Sequence, residues 1–222
     1  MFRRILVALI VFMLAVGLLQ TKTKIKGQAT AYDEVRKIKR MIDASVLICG
    51  DYGYGAGVFI ADNIIATAAH LLDQPGFIIE LSDGTELKSN DFYIDDKEDV
   101  GFIFVEADEL YISNVTPISG NVGDTVYLVG APYFTDLKFT ITKGILSHLD
   151  RDVYEREDLL QTDAEGALGS SGGPLYNDRG EVIGICVAGP NNGGGVTLCE
   201  SGKSVLEALE RALNSRGKQK CQ

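Results

Sequence analysis

The sequence predicts a mainly β domain that ends in a helix. The chain of 222 residues contains 25 Gly, 9 Tyr and 9 Phe, together with many β-branched residues. Short runs of these β-forming residues are separated by turn signals, and long helical patterns are few. Since 45% of the residues are hydrophobic, the chain can bury a real core. Regularly spaced short strands are typical of β-sandwiches and β-barrels.

The first 40 residues differ from the rest of the chain in their hydrophobicity and charge. Arg3 and Arg4 precede an apolar run over residues 5–19, which spans roughly 22 Å and is shorter than the ~30 Å hydrocarbon core of a bilayer. Residues 1–19 are interpreted as a signal peptide or as an uncleaved signal anchor. Residues 20–40 are interpreted as a basic linker and residues 41–222 as the folded domain. The protein is predicted to be exported, periplasmic or extracellular, with membrane anchoring through the apolar run left open.

The net charge of −10 is unevenly distributed along the chain. Residues 1–40 carry nine Lys/Arg and two Asp/Glu, which gives +7, so residues 41–222 carry −17. Non-specific nucleic-acid binding requires a basic surface, which an acidic body does not offer. The sequence therefore predicts no nucleic-acid partner, and it leaves a homo-oligomer open.

The body of the chain is predicted to form a series of short strands. Asp83-Gly84 and Arg179-Gly180 are typical of tight turns, and clustered Pro and Gly indicate a boundary between two lobes near residues 113–123. The predicted strands cover residues 45–49, 57–60, 63–67, 77–81, 91–95, 101–106, 125–130, 139–147, 159–162, 181–188 and 196–199.

A helical pattern follows over residues 201–215. Ser201 or Ser204 is a candidate N-cap. The apolar face of this helix is predicted to consist of Val205, Leu206, Leu209 and Leu213.

The four cysteines are Cys49, Cys186, Cys199 and Cys221. Their spacing fits no zinc pattern and the chain has only two His, so neither a metal site nor a cofactor is predicted. Cys186 and Cys199 flank a predicted hairpin centred near residues 192–193, across which they could face each other. A disulfide and a pair of buried thiols are both compatible with this placement.

The hexapeptide Gly-Ser-Ser-Gly-Gly-Pro at residues 169–174 is the most informative segment for function. Its glycines allow a sharp turn that presents Ser171 at the tip, and Pro174 fixes the chain on the way out. Such a turn can place a nucleophile beside converging backbone N–H groups, which is what acyl transfer requires. Taken alone, the segment is equally compatible with a Gly/Ser surface loop.

Two upstream residues favour the nucleophile interpretation of Ser171 over a surface loop. His70 follows the apolar segment 64–69, and Asp99 precedes the apolar segment 100–105. Separately, each is compatible with a structural role, but the order His70, Asp99, Ser171 is one of the known chain orders of a Ser/His/Asp triad. In that triad Ser171 attacks a peptide carbonyl, His70 transfers the proton to the leaving amine, and Asp99 orients the imidazole.

The segments around these residues resemble the trypsin/chymotrypsin-fold serine proteases, and among them the HtrA/Deg-type peptidases. The resemblance implies two antiparallel β-barrels of the trypsin-like fold with a C-terminal helix and an active site in the cleft between the barrels. It also implies an oxyanion hole formed by the N–H groups of Gly169 and Ser171. The matching segments are GAGVFI (55–60), TAAH (67–70), DVGFI (99–103), TKGILS (142–147), LQTDA (160–164), GSSGGPLYN (169–177) and GEVIGI (180–185).

The resemblance implies a serine-type endopeptidase that acts on protein or peptide substrates through an acyl-enzyme. The alternative is a catalytically silent, peptide-binding module on the same fold. Ser170 stands where trypsin-like zymogens place an Asp and HtrA-type members usually an Asn, so activation by a freed amino terminus is not expected. No PDZ domain is expected, since the chain ends soon after the helix.

Substrate selection is assigned to the neighbourhood of Glu165, which lies six residues before Ser171. In this fold that position is near the floor of the primary specificity pocket. If Glu165 points inward, the pocket favours Lys or Arg. If it points outward, the resemblance favours a small apolar pocket lined by Val187, Ala188 and Gly189.

Overall fold

The computed structural model describes residues 32–74, 76–107, 110–153, 156–189 and 194–219. The predicted signal or anchor segment, the first part of the basic linker and the tip of the hairpin near residues 192–193 lie outside these ranges. The chain divides into two units, Met1–Lys39 and Arg40–Gln222. Helix α1 covers residues 32–44, so its last residues belong to the second unit. In the described ranges, no helix has the length and apolarity needed to cross a membrane.

The first half of the second unit is a seven-stranded antiparallel sheet. Its strand order is β5-β4-β1-β2-β3-β7-β6. Strand β4 shows the alternation of buried and exposed side chains along a strand, since Phe77 and Ile79 are buried while Ile78 between them is 42% exposed. The strands are β1 (Ser45–Gly50), β2 (Gly53–Ala61), β3 (Ile64–Thr67), β4 (Phe77–Glu80), β5 (Glu86–Ser89), β6 (Phe92–Ile94) and β7 (Gly101–Phe104).

The turn between β4 and β5 follows the prediction. Gly84 has a φ of +87°, a left-handed conformation that glycine adopts without steric cost. The Gly84 N–H donates to the Leu81 carbonyl at 3.0 Å, and the Leu81 N–H donates to the Thr85 carbonyl at 2.9 Å. Asp83-Gly84 therefore forms the tight connection that its sequence indicates.

The second half is a closed six-stranded barrel with the order β10-β13-β12-β11-β8-β9, followed by helix α2 (Gly202–Gln219). The predicted fold class, an all-β trypsin-like fold of two antiparallel lobes with a C-terminal helix, is confirmed. The two lobes differ from the predicted pair of barrels in one respect, since among the described residues only the second closes into a barrel. The first lobe is the seven-stranded sheet and the second lobe is the closed barrel. The barrel strands are β8 (Thr125–Gly130), β9 (Thr140–Val153), β10 (Arg156–Thr162), β11 (Pro174–Asn177), β12 (Val182–Ala188) and β13 (Thr197–Ser201).

The C-terminal helix begins at the predicted cap. The Ser204 N–H donates to Ser201 Oγ at 3.1 Å, which satisfies one of the free amides of the first turn. Val205 is buried as predicted, whereas Leu213 is 49% exposed and lies off the apolar face. Ala208 and Ala212 occupy the buried positions instead.

Cys186 and Cys199 are direct register partners on β12 and β13. Both are buried free thiols. The hydrogen bond with Cys186 and burial raise the pKa of the Cys199 thiol well above its ordinary value. Of the two alternatives for this pair, the structure has the buried thiols.

Asp95 anchors the turn that leads to β7. Its side chain is fully buried and pairs with Arg211 of α2 through two contacts of 2.8 and 2.9 Å. The backbone N–H groups of Lys97 and Glu98 also donate to it at 3.1 Å. Burial alone raises the pKa of Asp95, but these hydrogen bonds and the Arg211 charge outweigh it and lower the pKa.

We expect Asp95→Asn to lower the free energy of unfolding by about 2–3 kcal/mol at neutral pH, because it leaves the arginine without its partner. The folded-state pKa is below the unfolded value of 3.8, so the contribution is present above pH 3.8 and is lost as the pH falls through the folded-state pKa. Urea unfolding at pH 7 and at pH 3 measures both effects. The exposed neighbour Asp96→Asn is the control, and equal losses in the two variants would contradict the anchoring role.

Candidate active site

His70 lies in a short 3-10 helix, Ala69–Leu71, directly after β3. The buried Ala69 donates its N–H to the Asp99 carbonyl at 3.2 Å, which ties this turn to the start of β7. Asp99 then holds His70 at two points. Its Oδ2 lies 2.7 Å from His70 Nδ1, and its Oδ1 accepts the His70 backbone N–H at 2.9 Å. The imidazole is thereby oriented, with 43% of the side chain exposed and its Nε2 edge free of this contact.

The Asp99 carboxylate is buried, with only 6% of the side chain exposed. Arg156 Nη2 of β10 lies 2.9 Å from the same Oδ2 that faces His70. Burial raises the pKa of Asp99, but the hydrogen bonds and charge of His70, together with Arg156, outweigh it and lower the pKa. Asp99 is therefore a carboxylate at neutral pH.

Ser171 lies in the loop between β10 and β11. Its carbonyl accepts the Ala56 N–H of β2 at 2.7 Å, and the next residue, Gly172, donates to the Cys186 carbonyl at 2.7 Å. A Cβ at Gly55 would meet both Leu71, the residue after His70, and the Ser171 carbonyl oxygen. The close approach at Gly55 brings the Ser171 loop next to the turn that carries His70.

Gly172 is the tightest point of this loop. It has a φ of +80°, and a Cβ there would collide with the Ala56 carbonyl oxygen and with Thr67 Oγ1. Only glycine combines this conformation with this approach to β2 and β3. The loop is therefore packed against the first sheet by its own backbone.

The predicted oxyanion residues precede and include Ser171. Gly169 has a φ of +93°, and a Cβ there would collide with the Ala131 carbonyl oxygen and the Tyr54 ring. Ser170 is buried, and its Oγ accepts the Ala167 N–H at 3.2 Å. Within the described ranges, neither the Gly169 N–H nor the Ser171 N–H donates to a protein acceptor.

The predicted substrate-binding residues differ in their exposure to solvent. Glu165 is exposed, and its carbonyl accepts the Thr142 hydroxyl at 2.9 Å. Val187 is 5% exposed and belongs to a core cluster with Ala68. Ala188 packs against the edge of that cluster.

Gly189 lies at the end of β12, and a Cβ there would be 3.5 Å from the Gly166 carbonyl oxygen and 3.4 Å from that of Val196. Any larger side chain at residue 189 would narrow the space between these two segments.

Two charged residues of the site carry no sequence signal. Arg156 comes from β10, and Glu200 of β13 accepts the Asp99 backbone N–H through Oε1 at 3.3 Å. Neither belongs to a motif, and only the barrel brings them to Asp99. In the part of the chain that the structure describes, no group of three or more His, Cys, Asp or Glu side chains could hold a metal ion.

Comparison with known proteins gives a consistent result. The family model described as "Trypsin-like peptidase domain" matches residues 55–185, which include His70, Asp99 and Ser171. The "Probable periplasmic serine endoprotease DegP-like" of Halomonas elongata is 38% identical over 138 residues, 59% of this chain and 28% of that protein. "Serine endoprotease DegS" of Haemophilus influenzae is 33% identical over 138 residues, 59% of this chain and 40% of that protein. The chain thus spans less than half the length of these relatives.

Solved structures show the same fold. An HtrA-type protease, AlgW with a tripeptide, has a TM-score of 0.74 at 24% identity and covers 80% of this chain, which spans 62% of that one. A serine endoprotease from Yersinia pestis has a TM-score of 0.72 at 25% identity, again over 80% of this chain and 65% of that one.

Proposed function

Because the chain belongs to the trypsin-like peptidase family, we propose that it is a serine endopeptidase that hydrolyses peptide bonds through an acyl-enzyme. The observation that carries the proposal is the doubly held His70. Asp99 binds both its ring Nδ1 and its backbone N–H, at 2.7 and 2.9 Å, next to the glycine-framed loop of Ser171.

The proposed roles follow from this geometry. With Nδ1–H bound to Asp99, Nε2 of His70 is the basic nitrogen that takes the proton of Ser171 Oγ as the oxygen attacks the peptide carbonyl. The Asp99 carboxylate stabilises the imidazolium that forms. The N–H groups of Gly169 and Ser171 bind the developing oxyanion, each contributing about 3–4 kcal/mol in the transition state. His70 then protonates the leaving amine, and water releases the acyl group by the same steps.

We assign protein or peptide substrates with a small aliphatic residue before the cleaved bond. Glu165 is exposed, so its charge is screened by solvent and gives little preference for Lys or Arg. The proposed apolar pocket is lined by Ala188 and Gly189 at the end of β12, with the buried Val187 beneath them. The DegP-like relative is named as periplasmic. Together with the apolar run at residues 5–19, this supports export of the protein, with residues 1–19 as the signal, 20–40 as a linker and 41–222 as the peptidase domain.

A fluorophosphonate probe tests the function directly. We expect the wild-type protein to be labelled and to cleave a peptide library, and Ser171→Ala to lose both activities while its thermal unfolding temperature stays within a few degrees. Ser119→Ala, which removes a hydroxyl outside the site, should be labelled like the wild type. Binding of peptides by the wild type without labelling or cleavage would contradict the proposal and identify a silent peptide-binding module.

A further inference from the structure

Glu200 is a buried acid that the mechanism above does not use. Only 1% of the residue is exposed, and it lies on β13 of the barrel, 101 residues from Asp99 in sequence. Its Oε1 accepts the Asp99 backbone N–H, while its Oε2 is buried without a hydrogen-bond partner among the described residues. A buried carboxyl with one unpaired oxygen costs free energy when it is ionised. Its presence against Asp99 therefore needs an explanation.

We propose that Glu200 is a positioning residue for Asp99 and that the charge on its carboxyl modulates the Asp99–His70 pair. This inference rests on the proposed endopeptidase function. In its neutral form Glu200 fixes the Asp99 backbone through one hydrogen bond. In its ionised form it adds a second negative charge behind the pair, which strengthens His70 as a base and stabilises the imidazolium of the transition state.

Burial and the surrounding charges together place the ionisation of Glu200 near neutral pH. Burial, followed by the charge of Glu98, raises the pKa of Glu200 to about 7. Arg156 and the Asp99 N–H act in the opposite direction, and the Asp99 charge adds a further increase. Glu200 is therefore neutral below about pH 7 and negative above it. The titratable and charged groups that face it are Glu98 and Asp99 before β7, Arg156 on β10 and Cys199 on β13, with His70 behind Asp99.

Arg156 interacts with both carboxyl groups, Asp99 and Glu200. It pairs with Asp99 Oδ2 at 2.9 Å and also attracts the Glu200 carboxyl. One arginine therefore balances one carboxylate below pH 7 and faces two above it. Glu98 already places a negative charge near these groups. The ionisation of Glu200 adds a further negative charge at the Asp99 backbone, which acts on His70 through Asp99.

Three variants separate positioning from charge. Glu200→Gln keeps an oxygen that can accept the Asp99 N–H but cannot ionise, so its kcat should equal that of the wild type at pH 6 and be lower by on the order of tenfold at pH 8.5. Glu200→Ala loses the acceptor, so its kcat should be lower at both pH values. Glu106→Gln makes the same charge change at an exposed position and should follow the wild type throughout.

A second readout does not depend on turnover. In the wild type, NMR titration of the Glu200 carboxyl carbon should show a midpoint near pH 7, and the Asp99 backbone amide should show a matching step that Glu200→Gln lacks. A Glu200→Gln pH profile parallel to that of the wild type would overturn the inference while leaving the peptidase function in place. If the wild type cleaves no peptide, the proposed function fails. In that case the pH-dependent step in the Asp99 amide signal still tests the coupling between Glu200 and Asp99, and the absence of this step would overturn the coupling.

Discussion

Asp99→Asn should lower kcat for peptide hydrolysis by about 10⁴-fold while the protein remains folded. The carboxylate accepts the Nδ1–H of His70 through Oδ2, and this contact leaves Nε2 as the basic nitrogen. An Asn at this position can donate its amide N–H to Nδ1 instead, which stabilises the tautomer with the proton on Nε2. His70 then cannot accept the proton of Ser171, and the transition-state imidazolium also loses its counter-charge.

The matched control is Asp96→Asn, three residues earlier on the same turn. Asp96 is exposed, so the substitution makes the same charge change without touching His70, and kcat should remain within twofold of the wild type. Substrate titrations should show that the loss in Asp99→Asn lies mainly in kcat, because the carboxylate does not contact the peptide in the ground state. A loss confined to KM, or a kcat within tenfold of the wild type, would show that Asp99 does not orient the base.

The sequence predicts the parts of the molecule in which local chemistry is decisive. Asp83-Gly84 marks a turn because the left-handed conformation is open to glycine at little cost. Ser201 marks the start of α2 because its hydroxyl caps a free amide of the first turn. These features depend on residues that are neighbours in the chain, so their spacing is visible in the sequence.

Other features depend on partners that the sequence does not bring together. Strand β5 carries Glu86 and Lys88 on its exposed side. Such a polar segment gives no strand pattern in the sequence, because this edge strand forms only by pairing with β4. The sequence predicts a strand over 139–147, but β9 continues to Val153, because its second half pairs with β10. The same reason hides Arg156 and Glu200, which reach Asp99 from the barrel across 57 and 101 residues of sequence.

Gly172→Ala should destabilise the protein by about 2–5 kcal/mol and reduce kcat/KM at least ~10²-fold. Two costs combine at this residue. An alanine with a φ near the observed +80° costs about 1–2 kcal/mol. The added methyl group also collides with the Ala56 carbonyl oxygen and Thr67 Oγ1, and this overpacking costs about 1–3 kcal/mol more. The loop can relieve the collision only by moving away from the first sheet, and a displacement of about 1 Å at a nucleophile is sufficient for a ~10²-fold loss of rate.

Gly84→Ala separates the two costs. Gly84 has nearly the same φ, +87°, but a Cβ there meets nothing within 4 Å, so we expect a loss of only about 1–2 kcal/mol and unchanged activity. The difference between the two variants in urea unfolding measures the contact between the Ser171 loop and the first sheet. Equal losses in the two proteins would mean that backbone conformation alone accounts for Gly172. A larger loss in Gly172→Ala, accompanied by slower fluorophosphonate labelling, would mean that this contact holds Ser171 in its reactive position.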